Sequence, residues 1–168
     1  MIEIAPTPAV RTCRAALADP DLRLPIPALP DVKSCSALAH VLAAREAARL
    51  GVDELIRTAD GAVTEATASN VFWSTGGVLH TPAASLPLYP GVTRAVVLQT
   101  ARDVGLEVEE SEHPAASVAA ADGVFLTNAA RGMEPVAELD GASLAWPDSL
   151  ARLALAVAET RRSRGVRL

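Results

Sequence analysis

Lys33 is the single lysine of a 168-residue chain whose other basic residues are all arginine. A neutral lysine amine attacks carbonyl carbon and can form a Schiff base, which arginine cannot do. Lys33 follows the segment ALPDV, a predicted strand end, and precedes a predicted helix, so a rigid junction would project it. A solvated surface lysine is the alternative, because a codon bias toward arginine and alanine would also explain the missing lysines.

A candidate anion site lies in the stretch PGVTRAVVLQ, residues 90–99. Gly91 lets the backbone come close to a ligand, and the N–H groups of Val92 and Thr93 lie at the start of a predicted helix. The Thr93 hydroxyl adds a further donor. Because Pro-Gly turns before helices are common, this stretch alone is a weak indication of a phosphate site.

The elements that would position these residues are mixed. A helix is predicted over 36–51, with Ser36 as its N-cap, an apolar stripe of Leu38, Val41 and Leu42, and Gly51 at its end. Further helices are predicted over 91–105, 114–121 and 147–164, and strands over 53–59, 70–75, 78–81, 106–111, 123–128 and 133–139. Turns are expected at Asp60-Gly61 and Gly76-Gly77. The strand spacing predicts an α+β domain rather than a regular βαβ series.

Composition excludes several classes of protein. The net charge of −5 and the 3% aromatic content argue against a nucleic-acid surface. No apolar run approaches a membrane span, and no secretory signal is visible, so a cytoplasmic protein is expected. The two cysteines form no ligand pattern with the three histidines, and no metal site is predicted.

Residues 1–30 are Pro-rich, which predicts an extended lead-in or edge strands. Residues 31–168 are predicted to form the domain itself.

Five stretches together resemble the pyridoxal-phosphate enzymes of fold type IV, the class IV aminotransferases and aminodeoxychorismate lyase. They occur in the order and spacing of that family and cover residues 31–136. They are VKSCSALAHVLAAREA, DELIRTADGAVTEATASNVFW, LHTP, YPGVTRAVVLQTARDVGLEVEE and ADGVFLTNAARGMEPV. The resemblance implies the large, cofactor-binding domain of that fold, a mixed sheet with packed helices.

The resemblance also implies roles for single residues around pyridoxal 5′-phosphate. Lys33 would form the Schiff base and then move the substrate's α-proton as general base and acid. Glu65 would face the pyridine nitrogen, Gly91 to Thr93 would hold the phosphate, and Tyr89 would pack where the family has an apolar residue. The stretch that contains Asn128 and Ala129 would lie beside the same site.

The implied activity is a choice within the family. The pair Asn128-Ala129 and Leu38, where branched-chain transaminases place a tyrosine, favour 4-amino-4-deoxychorismate lyase, which releases 4-aminobenzoate and pyruvate. A branched-chain or D-amino-acid aminotransferase is the alternative within the class. The small N-terminal domain of the family is not visible ahead of Lys33, so a truncated cofactor-binding domain without full activity is a further alternative. A small-molecule substrate and a homodimer are expected, with no nucleic-acid or membrane partner.

The remaining polar and aromatic residues are expected to be structural. Asn70 is predicted to organise the turn around Glu65, and Arg94 to brace the fold. His40 is predicted to be a packed or rim histidine, and no role is expected for the other two histidines. Core positions are predicted for Trp73 and Trp146, and a solvated helix end for residues 161–167.

Overall fold

The computed structural model of the protein describes residues 12–19, 22, 24–25, 29–33, 35 and 37–163. The strands are β1 (Cys13–Leu17), β2 (Glu54–Ile56), β3 (Thr58–Ala59), β4 (Ala62–Val63), β5 (Asn70–Thr75), β6 (Val78–Pro82), β7 (Val108–Ser111), β8 (Gly123–Asn128), β9 (Gly132–Leu139) and β10 (Ala142–Ser143). The helices are α1 (Leu38–Leu50), α2 (Val92–Asp103), α3 (Ala115–Ala119) and α4 (Asp148–Ser163). The predicted α+β class is confirmed. Among the described residues, no helix combines the length and apolarity needed to cross a bilayer.

Eight strands form one mixed sheet in the order β2-β1-β9-β8-β5-β6-β7, with β10 paired to β9. The middle of the sheet is antiparallel, whereas β1 runs parallel to both of its neighbours and β6 runs parallel to β7. The strand Cys13–Leu17 is therefore an interior strand, and its predicted edge position is wrong. Long-range pairing with β9 decides this placement, and the local sequence carries no signal for it. The predicted boundary at residue 30 stays a prediction.

Two tight turns connect neighbouring strands, as predicted. Asp60 and Gly61 have φ values of 50° and 84° between β3 and β4, and Gly76 and Gly77 have 59° and 88° between β5 and β6. Two consecutive positive φ values match the right-handed twist of the strands that such hairpins join. These turns set the pairing register on either side of them.

The central strands are buried on both faces of the sheet. Phe72 of β5 stacks on Phe125 of β8, with ring centroids 5.0 Å apart, and this face packs against α2 and α4. Trp73 points to the opposite face, where it packs with Val63 of β4 and Val118 of α3. Its predicted core position is confirmed, and Trp146 is half-buried against the Phe125 ring.

Helix α1 buries a face of alanines. Ala39, Ala43 and Ala47 are buried, whereas Leu38 is 61% and Val41 53% exposed, so the predicted stripe of larger residues is wrong. Small side chains let the helix approach the strands β1 and β2 closely. The predicted N-cap, Ser36, lies outside the described residues.

Candidate functional site

A cavity of about 440 Å³ opens between the segment before α1, the loop after β4, the start of α2 and the end of β8. This volume falls in the range of small-molecule sites. All eight site residues predicted from the sequence line it: Lys33, Glu65, Tyr89, Gly91, Val92, Thr93, Asn128 and Ala129. Residues far apart in the chain thus meet at one surface.

The amine of Lys33 lies over the ring of Tyr89, with Nζ 5.1 Å from the ring centroid. Lys33 itself is exposed at the mouth of the cavity. An ammonium above an aromatic face is attracted by the ring quadrupole. The ring of Tyr89 therefore holds the amine on the cavity side of the chain.

Glu65 is buried in the cavity wall, with 6% of its surface exposed. The Arg57 guanidinium donates to Oε1, and the backbone N–H of Tyr89 donates to Oε2 at 3.0 Å. A carboxylate offers about four lone-pair positions, so it can accept a further donor from a ligand. The Arg57 guanidinium and the Tyr89 N–H therefore hold the carboxylate in an orientation from which it can accept a hydrogen bond from a ligand.

The partner of Glu65 was missed by sequence reasoning. Arg57 and Glu65 flank the β3–β4 hairpin, and the Arg57 N–H donates to the Glu65 carbonyl at 2.8 Å. Counting outward from the turn at Asp60-Gly61 places Arg57 opposite Thr64, whose N–H donates to the Arg57 carbonyl at 2.9 Å, so the bond to Glu65 is offset by one residue. The predicted turn sets the register only as far as the Arg57–Thr64 pair, so the turn by itself does not predict the partner of Glu65.

The N-terminus of α2 faces the cavity without a side-chain cap. The first N–H groups of a helix lack intrahelical acceptors and carry the positive end of the helix dipole. Gly91 precedes them with an ordinary φ of −64°, but a Cβ there would lie 2.4 Å from Asn70 Oδ1. A Cβ at this position would therefore displace the Asn70 side chain, whereas the backbone conformation would accept one.

Thr93 and Asn128 are joined directly. The Thr93 hydroxyl donates to the Asn128 carbonyl at 3.0 Å, and Asn128 Nδ2 donates to Ser69 Oγ at 3.0 Å. The predicted donation from the Thr93 hydroxyl to an anion would have to replace the first bond. Within the described part of the chain, the backbone N–H of Thr93 forms no hydrogen bond of this kind.

The loop beyond β8 is held by two arginines. Arg131 donates its N–H to Asn128 Oδ1 at 2.8 Å, and Arg161 Nη2 donates to the Ala129 carbonyl at 3.2 Å. Of the helix end predicted to be solvated, Arg162 and Ser163 are exposed and residues 164–167 lie outside the described residues. Arg161 is half-buried, and a Cβ on Gly132 would meet its Nη1 at 2.1 Å. The end of α4 thus packs against the cavity loop.

A charged cluster lies beneath the cavity. The Arg131 guanidinium pairs with Glu54 and, at 2.6 Å, with Glu134, whose side chains are both 3% exposed. Burial raises the pKa of the neighbouring Cys13 thiol to about 12, and the negative charges of Glu134 and Glu54 act in the same direction. Glu54 Oε2 also accepts from the Ala68 N–H at 2.9 Å, so the ion pairs anchor the loop between β4 and β5 that carries Ala68.

The structural role predicted for Arg94 is confirmed, whereas Asn70 contacts the Tyr89 segment and lines the cavity, so its predicted role at the turn around Glu65 stays a prediction. Arg94 Nη2 donates to the Pro82 carbonyl at 2.8 Å and to Glu110 at 2.9 Å. Desolvation raises the pKa of Glu110, but hydrogen bonds from Arg102 and Arg94 outweigh it and the pKa lies below its ordinary value. Asn70 Nδ2 donates to the Tyr89 carbonyl at 2.7 Å and fixes the segment that carries that ring.

His40 lies at the cavity rim, half-buried, with Nδ1 2.9 Å from the Thr67 carbonyl. This placement agrees with the prediction of a packed or rim histidine. Thr67, Ser69 and Thr127 line the same cavity and were not predicted. Single hydroxyl residues carry no spacing signal, so only the fold reveals them.

Comparison with known proteins agrees with this geometry. The family model for amino-transferase class IV matches residues 2–139. The chain belongs to this family. The match spans the strands and loops that form the cavity wall, from the Lys33 segment to β9.

The relatives of this class IV chain carry different activities in their names. It is 40% identical over 121 residues to the "Putative branched-chain-amino-acid aminotransferase" of Methanocaldococcus jannaschii, covering 71% of this chain and 42% of that protein. It is 33% identical over 89 residues to aminodeoxychorismate lyase of Bacillus subtilis, covering 53% and 30%. The chain therefore spans less than half the length of these curated relatives.

Solved structures of the family share the fold. The branched-chain amino acid aminotransferase of Thermobaculum terrenum, in its PLP form, superposes with a TM-score of 0.80 at 28% identity. The superposition covers 91% of this chain and 52% of that one.

Proposed function

We propose that this chain is the pyridoxal 5′-phosphate-binding domain of a class IV enzyme, and that Lys33 is the residue that joins the cofactor. The observation that carries this proposal is the cavity that brings the Lys33 amine, the Glu65 carboxylate and the uncapped N-terminus of α2 to one surface. The solved relative in its PLP form supports the same cofactor.

The residues present fit this cofactor on chemical grounds. An aldehyde needs a primary amine, which Lys33 supplies as the chain's sole lysine. A phosphate needs N–H donors, and those of Val92 and Thr93 start α2 with no side-chain cap. A pyridine nitrogen needs an acceptor, and Glu65 is a buried carboxylate held by two donors. When bound, the cofactor supplies an electron sink for the substrate's α-carbon.

The chain's own residues have separate tasks in this proposal. Lys33 Nζ holds or releases the proton that moves at the substrate's α-carbon. Arg57 and the Tyr89 N–H keep Glu65 oriented as an acceptor. The Tyr89 ring forms one wall and limits where the Lys33 amine can move. Asn128 and Ala129 border the phosphate end of the cavity.

The test of cofactor attachment uses the chain loaded with pyridoxal 5′-phosphate. Borohydride reduction followed by peptide mass mapping should place the pyridoxyl group on Lys33. The matched control is Lys33→Arg, which keeps the charge but cannot form the bond. An unmodified Lys33 in cofactor-saturated protein would refute the assignment, as would a visible absorption band of equal size in the Arg variant.

For the finer activity we propose 4-amino-4-deoxychorismate lyase, supported by the Asn128-Ala129 pair and by the lyase among the relatives. A branched-chain aminotransferase is the second candidate, favoured by the 40% identity to the M. jannaschii protein. Product assays separate them. Release of 4-aminobenzoate and pyruvate supports the lyase, whereas a keto acid formed from a branched-chain amino acid supports the transaminase.

We also propose that the chain associates as a homodimer through the surface beside the cavity. Leu29 is 63%, Val32 48%, Leu38 61% and Val41 53% exposed, all close in sequence to Lys33. Exposed apolar side chains of this size gain free energy when a partner covers them. Light scattering at micromolar concentration should give twice the monomer mass, and a monomer there would end the proposal.

A further inference from the structure

Two histidines and a glutamate meet at the β6–β7 end of the sheet, away from the cofactor cavity. His80 of β6 stands opposite Glu109 of β7 in the parallel register. His80 Nδ1 lies 3.2 Å from Glu109 Oε2, and His113 Nε2 lies 3.8 Å from Glu109 Oε1. One ligand atom from each of the three residues lies within 4.8 Å of the others.

The two imidazole rings are held by Trp73, which is 1% exposed. The His80 ring stacks on the indole at 5.7 Å, and the His113 ring meets it edge-on at 5.0 Å. The two histidine rings are nearly perpendicular, with centroids 5.2 Å apart. Packing against a rigid core residue therefore fixes both rings before any ligand binds.

One atom of this cluster lacks a satisfactory hydrogen bond. His80 Nδ1 is buried from solvent and forms no hydrogen bond of acceptable geometry, although Glu109 Oε2 is near. Burying an unsatisfied polar group is costly. By contrast, the Ser111 hydroxyl donates to Glu109 Oε1 at 2.7 Å and contacts His113 Nε2 at 2.8 Å.

We propose that His80, Glu109 and His113 bind a divalent transition-metal ion, with Zn²⁺ as the best match. Two imidazole nitrogens and one carboxylate oxygen are a common zinc ligand set, whereas Ca²⁺ and Mg²⁺ prefer oxygen ligands. Tetrahedral zinc bonds of ordinary length separate neighbouring ligand atoms by about 3.3 Å. His80 Nδ1 and Glu109 Oε2 are already 3.2 Å apart, whereas His113 Nε2, 3.8 Å from Glu109 Oε1, would move closer on binding. None of these residues lines the cofactor cavity.

Either of two groups could supply the fourth ligand of the zinc ion. Ser111 Oγ lies within hydrogen-bond distance of two ligands, and Glu109, whose side chain is 50% exposed, leaves the site open to a water molecule. The open side also gives the ion a path of entry. Each ligating nitrogen must carry a lone pair, so each bound imidazole would be neutral with its proton on the other ring nitrogen.

Metal binding would tie the cluster to the wall of the cofactor cavity. The His113 carbonyl accepts from the Val63 N–H at 2.8 Å, and Glu65 follows two residues after Val63. The ion would therefore link β6, β7 and the β3–β4 hairpin. The site lies apart from the cavity residues and takes no part in the proposed cofactor chemistry.

The test adds Zn²⁺ alone to the metal-free full chain and measures binding by calorimetry and by thermal unfolding. Wild type should bind one ion per chain and unfold at a higher temperature. Glu109→Gln should weaken binding at least tenfold, because it removes one of three protein ligands. Glu112→Gln, which removes a neighbouring exposed charge, is the matched control and should bind as wild type does.

The visible spectrum of bound Co²⁺ gives a second measurement, because an ion held loosely at the protein surface would not show the spectrum of tetrahedral cobalt. Wild type and Glu112→Gln should show an intense visible spectrum typical of tetrahedral cobalt, and His80→Asn and Glu109→Gln should lose it. Absence of binding by wild type would overturn the proposal. Equal affinity in wild type, Glu109→Gln and His80→Asn would overturn it as well, since the ion would then lie elsewhere.

Discussion

The backbone N–H of Tyr89 donates to Glu65 Oε2 at 3.0 Å, so the residue whose ring lies beneath the Lys33 amine also orients the buried carboxylate. The two residues are 24 positions apart in the chain. This bond links the Lys33 side of the proposed catalytic cavity to the Glu65 carboxylate.

Glu65→Gln should keep cofactor binding but lose about 100-fold or more in turnover, which corresponds to about 2.7 kcal/mol in the barrier. The neutral amide is a poorer partner for a protonated ring nitrogen, and its NH₂ group would oppose one of the donors from Arg57 and Tyr89. The measurement is kcat at full cofactor occupancy. Turnover equal to wild type would show that Glu65 has only a structural role in the loop and no role in catalysis. If the chain is inactive, the pH dependence of its visible spectrum replaces turnover.

Gly91→Ala should weaken the binding of pyridoxal 5′-phosphate about tenfold. The new Cβ would lie 2.4 Å from Asn70 Oδ1, and that side chain would have to leave the Tyr89 carbonyl. The φ of −64° suits alanine, so backbone strain plays no part. Titration of the cofactor gives the affinity. In an Asn70→Ala background the same substitution should cost less, and an equal cost in both backgrounds would show that the contact is irrelevant.

Arg131→Met should destabilise the fold by about 3 kcal/mol. It removes the guanidinium that faces two buried carboxylates, Glu54 and Glu134. Urea unfolding measures the free energy of unfolding. Arg152→Met, on the exposed side of α4, is the matched control and should change it by less than about 0.5 kcal/mol. A loss no larger than in this control would mean that the cluster adds no net stability.

Cys13 should resist alkylation in the folded protein, whereas Cys35 should react. Cys13 is 1% exposed and burial raises its thiol pKa to about 12, so little thiolate forms near pH 8. Cys35 is exposed and free. Iodoacetamide followed by peptide mapping should find label on Cys35 alone, and on both cysteines after denaturation. Rapid native labelling of Cys13 would contradict its burial beside Glu134.

Glu110→Gln should reduce stability near neutral pH and have little effect in acid. Because hydrogen bonds from Arg102 and Arg94 lower the pKa of Glu110 in the folded state, its stabilising contribution is complete above the ordinary value of 4.5. It disappears as the pH falls through the lower folded value. The loss should be about 1 kcal/mol or less, since the pair is partly solvated. Thermal unfolding at several pH values, with Glu107→Gln as control, measures it, and a pH-independent loss would exclude this linkage.

The local elements and the cavity residues were predictable from the sequence. Strands β5 and β8 have the predicted bounds, and both two-residue turns form where predicted, because alternation and Asp-Gly or Gly-Gly pairs are local signals. The eight predicted site residues line one cavity. They could be predicted because the order and spacing of the motifs resemble those of a known family. Their roles toward the cofactor stay predictions.

Tertiary structure alone decided the contacts between distant segments. The alanine face of α1 is buried because only small side chains fit against β1 and β2, which no helical stripe of larger residues foretold. His80 meets Glu109 because β6 and β7 pair in parallel, a choice that depends on the free energy of the whole sheet. The sequence by itself determined the type and approximate position of all four helices, of most of the longer strands and of the two tight turns, since those follow from neighbours in the chain. The fold decided which side chains share a charge or a cavity, since these depend on segments that meet only after the chain has packed.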